Sequence, residues 1–539
     1  MRVLIADDNP KPYYDGLLAA LKRERPGDDV VFSGDARDAY RKLKADADNP
    51  FDVLILDEKM GGGDRDGSAL LRHLHSQPLP HQPAIIYVTG FMNEIPADQV
   101  AHSGTPVTIF LDKDSDSGTA LFRALLLVSR QTEGLYCHPS HFFGETFIDV
   151  VTADVDRILE TPLSCYLDLA QQRLIGSLLR SFFTTLRLRK NWTADDVLEL
   201  AVFLSEGLCR VYNLPDDILR LVRKFVDFEE VLYTIPRYRD HFLHQIKVFL
   251  LGFLLVNEMN RRHRVDGQIL GQPNAMKLWF LTALFHDLGY PFEKMRSWLN
   301  GFVLGVLKSP AEAESLQPLV PVEFNWGVLF GRRYNWYHLE RLADAICRSY
   351  SALDSKTRAE LLGGLGEFVA ERPDHGLYSS LIMQNFLRVR LDDSEVDPLA
   401  VAIALHNASV SRVVRRAIGG QLTFKRDPLS FLLMFCDTAQ EWGRAESHLR
   451  DLKGSAPRYA LFDSLDWSSG GESVSVNLRY PRRWNSKEVN EWKQGIFEKE
   501  LLPLRDVWSS GPTSPICFSI SYTHGEDVAE RAALDILRL

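Results

Sequence analysis

The chain has no excess of basic charge, no long apolar run and no closely spaced cysteines. Acidic residues outnumber basic ones, 72 to 62, which gives a formal net charge of −10. Electrostatics alone therefore do not predict nucleic-acid binding, and no direct DNA contact is expected. The longest apolar stretch, around Val248–Val256, is well short of a membrane span. The chain reaches Asp7 and Asp8 before any useful apolar run, so no signal peptide is expected. The 6 cysteines are scattered without a C-x-x-C pair, the pattern of reduced thiols in a cytoplasmic protein. There is no internal repeat, low-complexity tract, P-loop, G-x-S-x-G or dinucleotide fingerprint. With 45% hydrophobic and 25% charged residues, the composition excludes wholesale disorder. The length of 539 residues predicts several domains.

The first 130 residues alternate short apolar runs with amphipathic segments. Strands are predicted at Val3–Ala6, Val30–Ser33, Val53–Leu56, Ala84–Val88 and Val107–Leu111. Helices are predicted at Tyr14–Arg23, Ala36–Ala45, Gly67–Leu74 and Gly118–Arg130. Runs such as VLIL and AIIYV are apolar on both faces, as buried parallel strands must be. This predicts a doubly wound α/β domain. Residues 131–148 lose periodicity. From about 149 to 450 the pattern is helical, with examples at Gln172–Arg187, Ala194–Tyr212, His244–Arg261 and Lys277–Leu284. Beyond 460 it is mixed: strands at Ser473–Arg479 and Ile516–Tyr522 flank a helix at Lys487–Leu502, a small α+β module.

Open α/β sheets bind ligands at the carboxyl ends of their strands. Asp7, Asp8, Asp57, Thr89 and Lys113 fall at such ends. Three carboxylates gathered there need a cation, and hard oxygen ligands suit Mg²⁺. A carboxylate beside Mg²⁺ can attack phosphorus and form an acyl phosphate. Through LIADD, VLILD, IIYVTG and IFLDKD, residues 1–130 resemble the flavodoxin-like receiver domain of two-component response regulators. The resemblance implies that Asp57 is the phosphoacceptor and that Asp7, Asp8, Asp57 and the backbone carbonyl of Lys59 hold Mg²⁺. It implies that Thr89, Phe110 and Lys113 form the switch, and that a sensor histidine kinase or phosphotransfer protein is the partner. Two features depart from the family pattern: Asp114 follows Lys113 where proline is usual, and GGGDRDG follows the acceptor.

The central region contains ALFHDLGYPFEK, with His286 beside Asp287. With 15 histidines and 72 acids in 539 residues, about two His–acid pairs arise by chance, so the dipeptide alone carries no information. Its setting does. His244, His375, His406 and Asp437 each lie among apolar helical residues, and bundles build metal sites from inward side chains on facing helices. Imidazole and carboxylate together suit Mn, Fe, Zn or Co. Adjacent residues on a helix diverge by about 100°, so His286 and Asp287 can share a centre only at a helix end, which Gly289 and Pro291 supply. His241 is an alternative ligand, and His338 reads as a surface residue in an aromatic cluster.

In order and type these residues resemble the HD superfamily of metal-dependent phosphohydrolases, over about 235–445. The resemblance implies one metal held by His244, His286, Asp287 and Asp437, and a second completed by His375 and His406 with Asp287 bridging. It implies hydrolysis of a phosphoester, a nucleotide or cyclic nucleotide being favoured, with Asp287 and Lys294 in catalytic roles. Tyr290 stands where many HD phosphodiesterases carry lysine, and the HD-GYP signature is absent.

The expected organisation is a receiver at 1–130 and a linker and helical connector at 131–235. An all-α HD-type bundle follows at 236–455, with an insertion near 296–370, and then the α+β module at 460–539. The expected function is a cytoplasmic response regulator whose phosphorylation controls a phosphohydrolase. The alternative is a catalytically silent bundle that binds a protein or nucleotide. Homodimerisation is a family-level expectation.

Overall fold

The computed structural model describes residues 1–9, 11–24, 27–45, 49–60, 66–89, 109–113, 117–129, 142–188, 192–232, 240–293, 332–351, 354–370, 374–442, 460–480, 507–509, 516–524 and 532–534. The chain divides into two compact units, Met1–Val222 and Arg223–Leu539.

The first unit opens with five parallel strands: β1 (Arg2–Ala6), β2 (Asp29–Ser33), β3 (Val53–Asp57), β4 (Ala84–Thr89) and β5 (Ile109–Asp112). Their order, β2-β1-β3-β4-β5, is the flavodoxin-like one. Helices α1 (Lys11–Glu24), α2 (Ala36–Ala45), α3 (Gly67–Ser76) and α4 (Ser117–Ser129) complete the winding. Every residue of β3 is buried, as the two-sided apolar run predicts. The register pairs Val3 with Val53, Asp57 with Val88 and Thr89 with Asp112, so the carboxyl ends of four strands fall into one row. Three helices continue this unit: α5 (Glu145–Glu160), α6 (Leu169–Leu188) and α7 (Ala194–Val211). The aperiodic segment is thus shorter than expected, because helix begins at Glu145. α7 starts in a capping box, where Thr193 and Asp196 satisfy each other's backbone amides. Both α6 and α7 contact β5.

Helix α8 (Asp216–Leu232) begins in the first unit and ends in the second, which continues with α9 (Phe242–Arg261), α10 (Ala275–Phe285), α11 (Arg332–Ser349), α12 (Ser355–Ala370), α13 (His375–Leu387), α14 (Asp393–Leu405), α15 (Ala408–Ile418) and α16 (Pro428–Ala439). Residues 332–370, inside the expected insertion, form α11 and α12, which pack against α13, α14 and α15. α9 is long and apolar enough to cross a membrane, but 94% of its most apolar window is buried inside the protein, as in a core helix. It packs against α10 at a glycine. The Trp279 ring lies flat on Gly252, and its indole N–H donates to the Phe249 carbonyl at 2.9 Å.

Strands β7 (Leu461–Trp467), β8 (Ser473–Tyr480), β10 (Cys517–His524) and β11 (Ala532–Leu534) form a mixed sheet in the order β11-β10-β8-β7. β6 (Leu422–Thr423), between α15 and α16, pairs in parallel with β9 (Trp508–Ser509). The terminal sheet therefore shares a core with the helices rather than standing apart. Phe518 of β10 lies 5.0–5.2 Å, ring centre to ring centre, from Phe424, Phe431 and Phe435. The helix expected at Lys487–Leu502 lies outside the described residues. Cys165, Cys209, Cys347 and Cys436 are buried free thiols, and Cys517 is an exposed one.

A β-carbon on Gly252 would fall 1.9 Å from Trp279 Cζ2, so the helices would have to separate. Gly252→Ala is expected to cost about 1–3 kcal/mol by overpacking, measured as a lower midpoint of urea unfolding.

Candidate functional site

At the carboxyl edge of the parallel sheet, Asp7, Asp8 and Asp57 bring one carboxylate oxygen each within 4.8 Å of the others. Asp7 and Asp57 are buried and Asp8 is exposed. Lys113 Nζ lies 2.6 Å from Asp7 Oδ2 and 3.0 Å from Asp57 Oδ2. The Tyr14 hydroxyl donates to Asp7 at 3.0 Å. Burial pushes the Asp57 carboxyl up to about 6, with Lys113 opposing the rise and Asp7 adding to it. Thr89 ends β4 and Phe110 lies within β5, but their side chains are outside the described residues. Lys59 is exposed just beyond β3.

Sequence reasoning missed the polar group behind this pocket. Glu58, next to the acceptor, is buried and accepts from the Ser68 amide at 3.0 Å, the Ser68 hydroxyl at 3.2 Å and the Tyr87 hydroxyl. Gly67 seats α3 against β3: a β-carbon there would lie 2.4 Å from the Asp57 carbonyl oxygen. Residues 61–65 of the glycine-rich segment lie outside the described residues.

In the helical unit, all six residues singled out in the sequence converge. His244, His286 and Asp437 form one group, and Asp287, His375 and His406 form another. The local reasons differ. His286 and His406 stand where α10 and α14 stop. Each ring turns back so that its Nδ1 meets the carbonyl three residues earlier, Ala283 at 2.8 Å and Ile403 at 2.6 Å. Helix ends leave such carbonyls unsatisfied. His244 lies in the first turn of α9, with Nδ1 against Gln440 Oε1. His375 opens α13, with Nδ1 2.8 Å from Glu293 Oε2. With Nδ1 donating to oxygen in every case, each ring presents Nε2 to the centre.

Asp287 lies between the two groups. Its Oδ2 is 3.9 Å from His244 Nε2 and 3.6 Å from His286 Nε2. Its Oδ1 is 3.4 Å from His375 Nε2 and 4.0 Å from His406 Nε2. Asp437 Oδ1 lies 2.7 Å from His244 Nε2 and 3.7 Å from His286 Nε2. Burial alone would raise both carboxyls. The surrounding imidazoles outweigh it and hold both well below the usual range, His286 and His241 for Asp287, His244 and His286 for Asp437. Burial likewise works against a charged His375, but Glu293 and Asp287 raise it to about 9. His406 is lowered by burial and by His286.

The donor set fits divalent transition metals. Among the described residues, buried His286 Nε2 has no partner within hydrogen-bond distance, its carboxylate neighbours standing off at 3.6 and 3.7 Å, which costs about 1–3 kcal/mol unless something occupies the gap. The carboxyl ends of α10, α14 and α16, which carry partial negative charge, meet here. The amino ends of α9 and α13 are covered by acids: Glu229 accepts from the Phe242 amide at 3.0 Å, and Asp374 accepts from the Leu377 amide at 3.1 Å.

Some assignments change. His241 belongs to neither group. Its Nδ1 lies 2.8 Å from Asp287 Oδ2 and its ring packs on Tyr290 at 3.5 Å between centres, so it orients Asp287. His338 is buried rather than on the surface. Burial and Arg388 lower it to about 4. Lys294 lies outside the described residues. Glu229, Glu293 and Gln440 went unnoticed in the sequence, although Gln440 stands one turn beyond Asp437 and Glu293 follows in the same HDLGYPFEK string.

No family model and no curated protein matches the chain. Among solved structures, the response regulator receiver domain (CheY-like) of Methylobacillus flagellatus is similar at 17% identity, with a TM-score of 0.19. The match covers 24% of this chain and 98% of that one.

Gly376 lets α13 close over the ring of His406: a β-carbon there would lie 2.8 Å from His406 Cε1 and 3.0 Å from Ile403 O. Gly376→Ala is expected to displace His406, read as a changed His406 ring signal in ¹H–¹⁵N spectra of the histidine side chains. In the first unit, Lys113→Met should move the Asp57 titration above pH 6, because a cation that favours the carboxylate is gone. Carboxyl ¹³C shifts followed against pH would show it.

Proposed function

We propose that the chain is a response regulator whose output is a metal-dependent phosphohydrolase of HD type. The observation that carries this reading is the sharing of Asp287: four imidazoles, each with Nδ1 engaged elsewhere, turn Nε2 toward the two oxygens of one carboxylate. His244, His286, Asp437 and Asp287 would hold one divalent cation, and His375, His406 and Asp287 a second. Two such ions supply Lewis acidity that activates water near neutral pH and neutralises phosphoryl oxygens. The protein's own residues keep the ligands in register. Glu293 holds His375, and Asn407 Nδ2, which donates to Asp374 at 3.1 Å, borders the His375 edge at 3.2 Å. The second set would have three protein ligands against four in the first, so a substrate oxygen would more readily complete the second. The substrate class is a phosphoester, with a nucleotide or cyclic nucleotide favoured.

Control would come from Asp57. Its carboxylate would attack a phosphoryl group delivered by a sensor histidine kinase or phosphotransfer protein. Asp7 and Asp8 would hold Mg²⁺ beside it, and Lys113 would pair with the phosphoryl oxygens. The new charge would act through Thr89 and Phe110. The four-part organisation, the cytoplasmic location and the homodimer belong to this reading as well.

Purified with Mn²⁺, the protein is expected to carry two metals per chain and to hydrolyse at least one member of a phosphoester panel. His286→Ala combined with Asp287→Ala should abolish both. Turnover that survives this double substitution would end the hydrolase assignment. Acetyl phosphate should change the rate in the wild type and leave Asp57→Asn unaffected.

A further inference from the structure

The terminal sheet (β7, β8, β10 and β11) has no task in the function proposed above, yet it reaches the metal-ligating cluster. Gln440 caps the end of α16 and is fully buried. Its Nε2 donates to the Trp442 carbonyl at 2.7 Å, and its Oε1 faces His244 Nδ1. A carbonyl oxygen can only accept, so the amide nitrogen must face Trp442 and the amide oxygen must face the imidazole. A proton of His244 is then required on Nδ1, and Nε2 points at the centre, where in the metal-free chain it donates a second proton to Asp437 Oδ1 at 2.7 Å. The orientation of the amide thus dictates which nitrogen of the ring is available.

Trp442 is itself held by the terminal sheet. Trp442 bridges to Ala460 at the entrance to β7, and its ring meets Phe462 of β7 edge-on at 5.2 Å between centres. Trp442 and Phe462 are both buried. From below, Phe518 of β10 packs on Phe431 and Phe435 of α16, the helix that carries Asp437. The sheet therefore braces two residues of the first ligand group, one through packing and one through a hydrogen-bond relay.

We infer that Gln440 is a positioning residue that fixes a proton on His244 Nδ1, so that Nε2 is the nitrogen that gives up its proton for a ligand, and that the C-terminal sheet holds Gln440 in place through Trp442. The inference rests on the metal-site reading for its consequence, but the Nδ1 proton itself is a property of the metal-free chain.

The test uses the full-length protein. In ¹H–¹⁵N spectra of the histidine rings, the metal-free wild type should show a protected, hydrogen-bonded Nδ1–H for His244 that is lost in Gln440→Met. Titration with Zn²⁺ against a competing chelator should show affinity weakened by about 10–100-fold in Gln440→Met, the usual effect of removing a partner behind a ligating histidine. Phe462→Ala, which removes the ring packed on Trp442, should weaken Zn²⁺ in the same direction. It also serves as the second variant should Gln440→Met fail to fold. Urea unfolding of the metal-free variants separates this from general destabilisation, which would not move the ring spectrum. A wild-type His244 protonated on Nε2 alone, or unchanged Zn²⁺ affinity in folded Gln440→Met, would overturn the inference. A wild type that binds no Zn²⁺ but keeps the Gln440-dependent Nδ1–H signal would instead remove the metal-site reading and leave the positioning role standing.

Discussion

A single buried carboxylate, Asp287, governs the helical unit. Removing a carboxylate from water is costly, and the charged form survives only if cations or donors surround it. His286, His241 and His375 supply that surrounding, and their influence exceeds the effect of burial. Because its two oxygens face different histidine pairs, Asp287 also sets the spacing of the whole cluster. The helices that carry the histidines are thereby constrained: α10 and α14 must end at the centre, and α9 and α13 must begin there. Opposite helix ends meeting at one point would be electrostatically awkward, and the acids Glu229 and Asp374 relieve it by occupying the amino ends.

The first unit solves a related problem differently. Its acids are gathered at a sheet edge, and the cation on the chain is a lysine, Lys113, in contact with Asp7 and Asp57. Burial leaves Asp57 easier to protonate than an ordinary aspartate, whereas Asp287 is harder to protonate. The difference lies in the number of cationic partners: one lysine faces two or three acids at the sheet edge, whereas several imidazoles surround Asp287. Glu58, anchored by Ser68 and Tyr87, ties the start of α3 to the back of this pocket.

Much of this was legible from the chain alone because its signals are local. Two-sided apolar runs predict the five parallel strands, and the strand ends pick out Asp7, Asp57 and Lys113. Apolar helices ending in histidine pick out His286 and His406, and a helix stop after Asp287 follows from Gly289 and Pro291. The partners behind the ligands were not legible. Glu229, Glu293 and Gln440 carry no sequence signal that singles them out, and His338 reads as a surface residue. Each is assigned by what packs on it from a distant segment, and no periodicity carries that information.

The sequence by itself determined the flavodoxin-like alternation, the helical character of the middle of the chain, and the identity of the residues that gather in both clusters. Residue type and spacing suffice for these, since secondary structure and ligand chemistry are short-range properties. Only the tertiary structure decided that Asp287 is shared, that His241 orients it rather than joining either group, and that the terminal sheet stands behind α16. Those outcomes depend on which nitrogen of a ring meets which oxygen across 46 to 196 positions of chain, and hydrogen-bond direction is settled only when the partners are packed together.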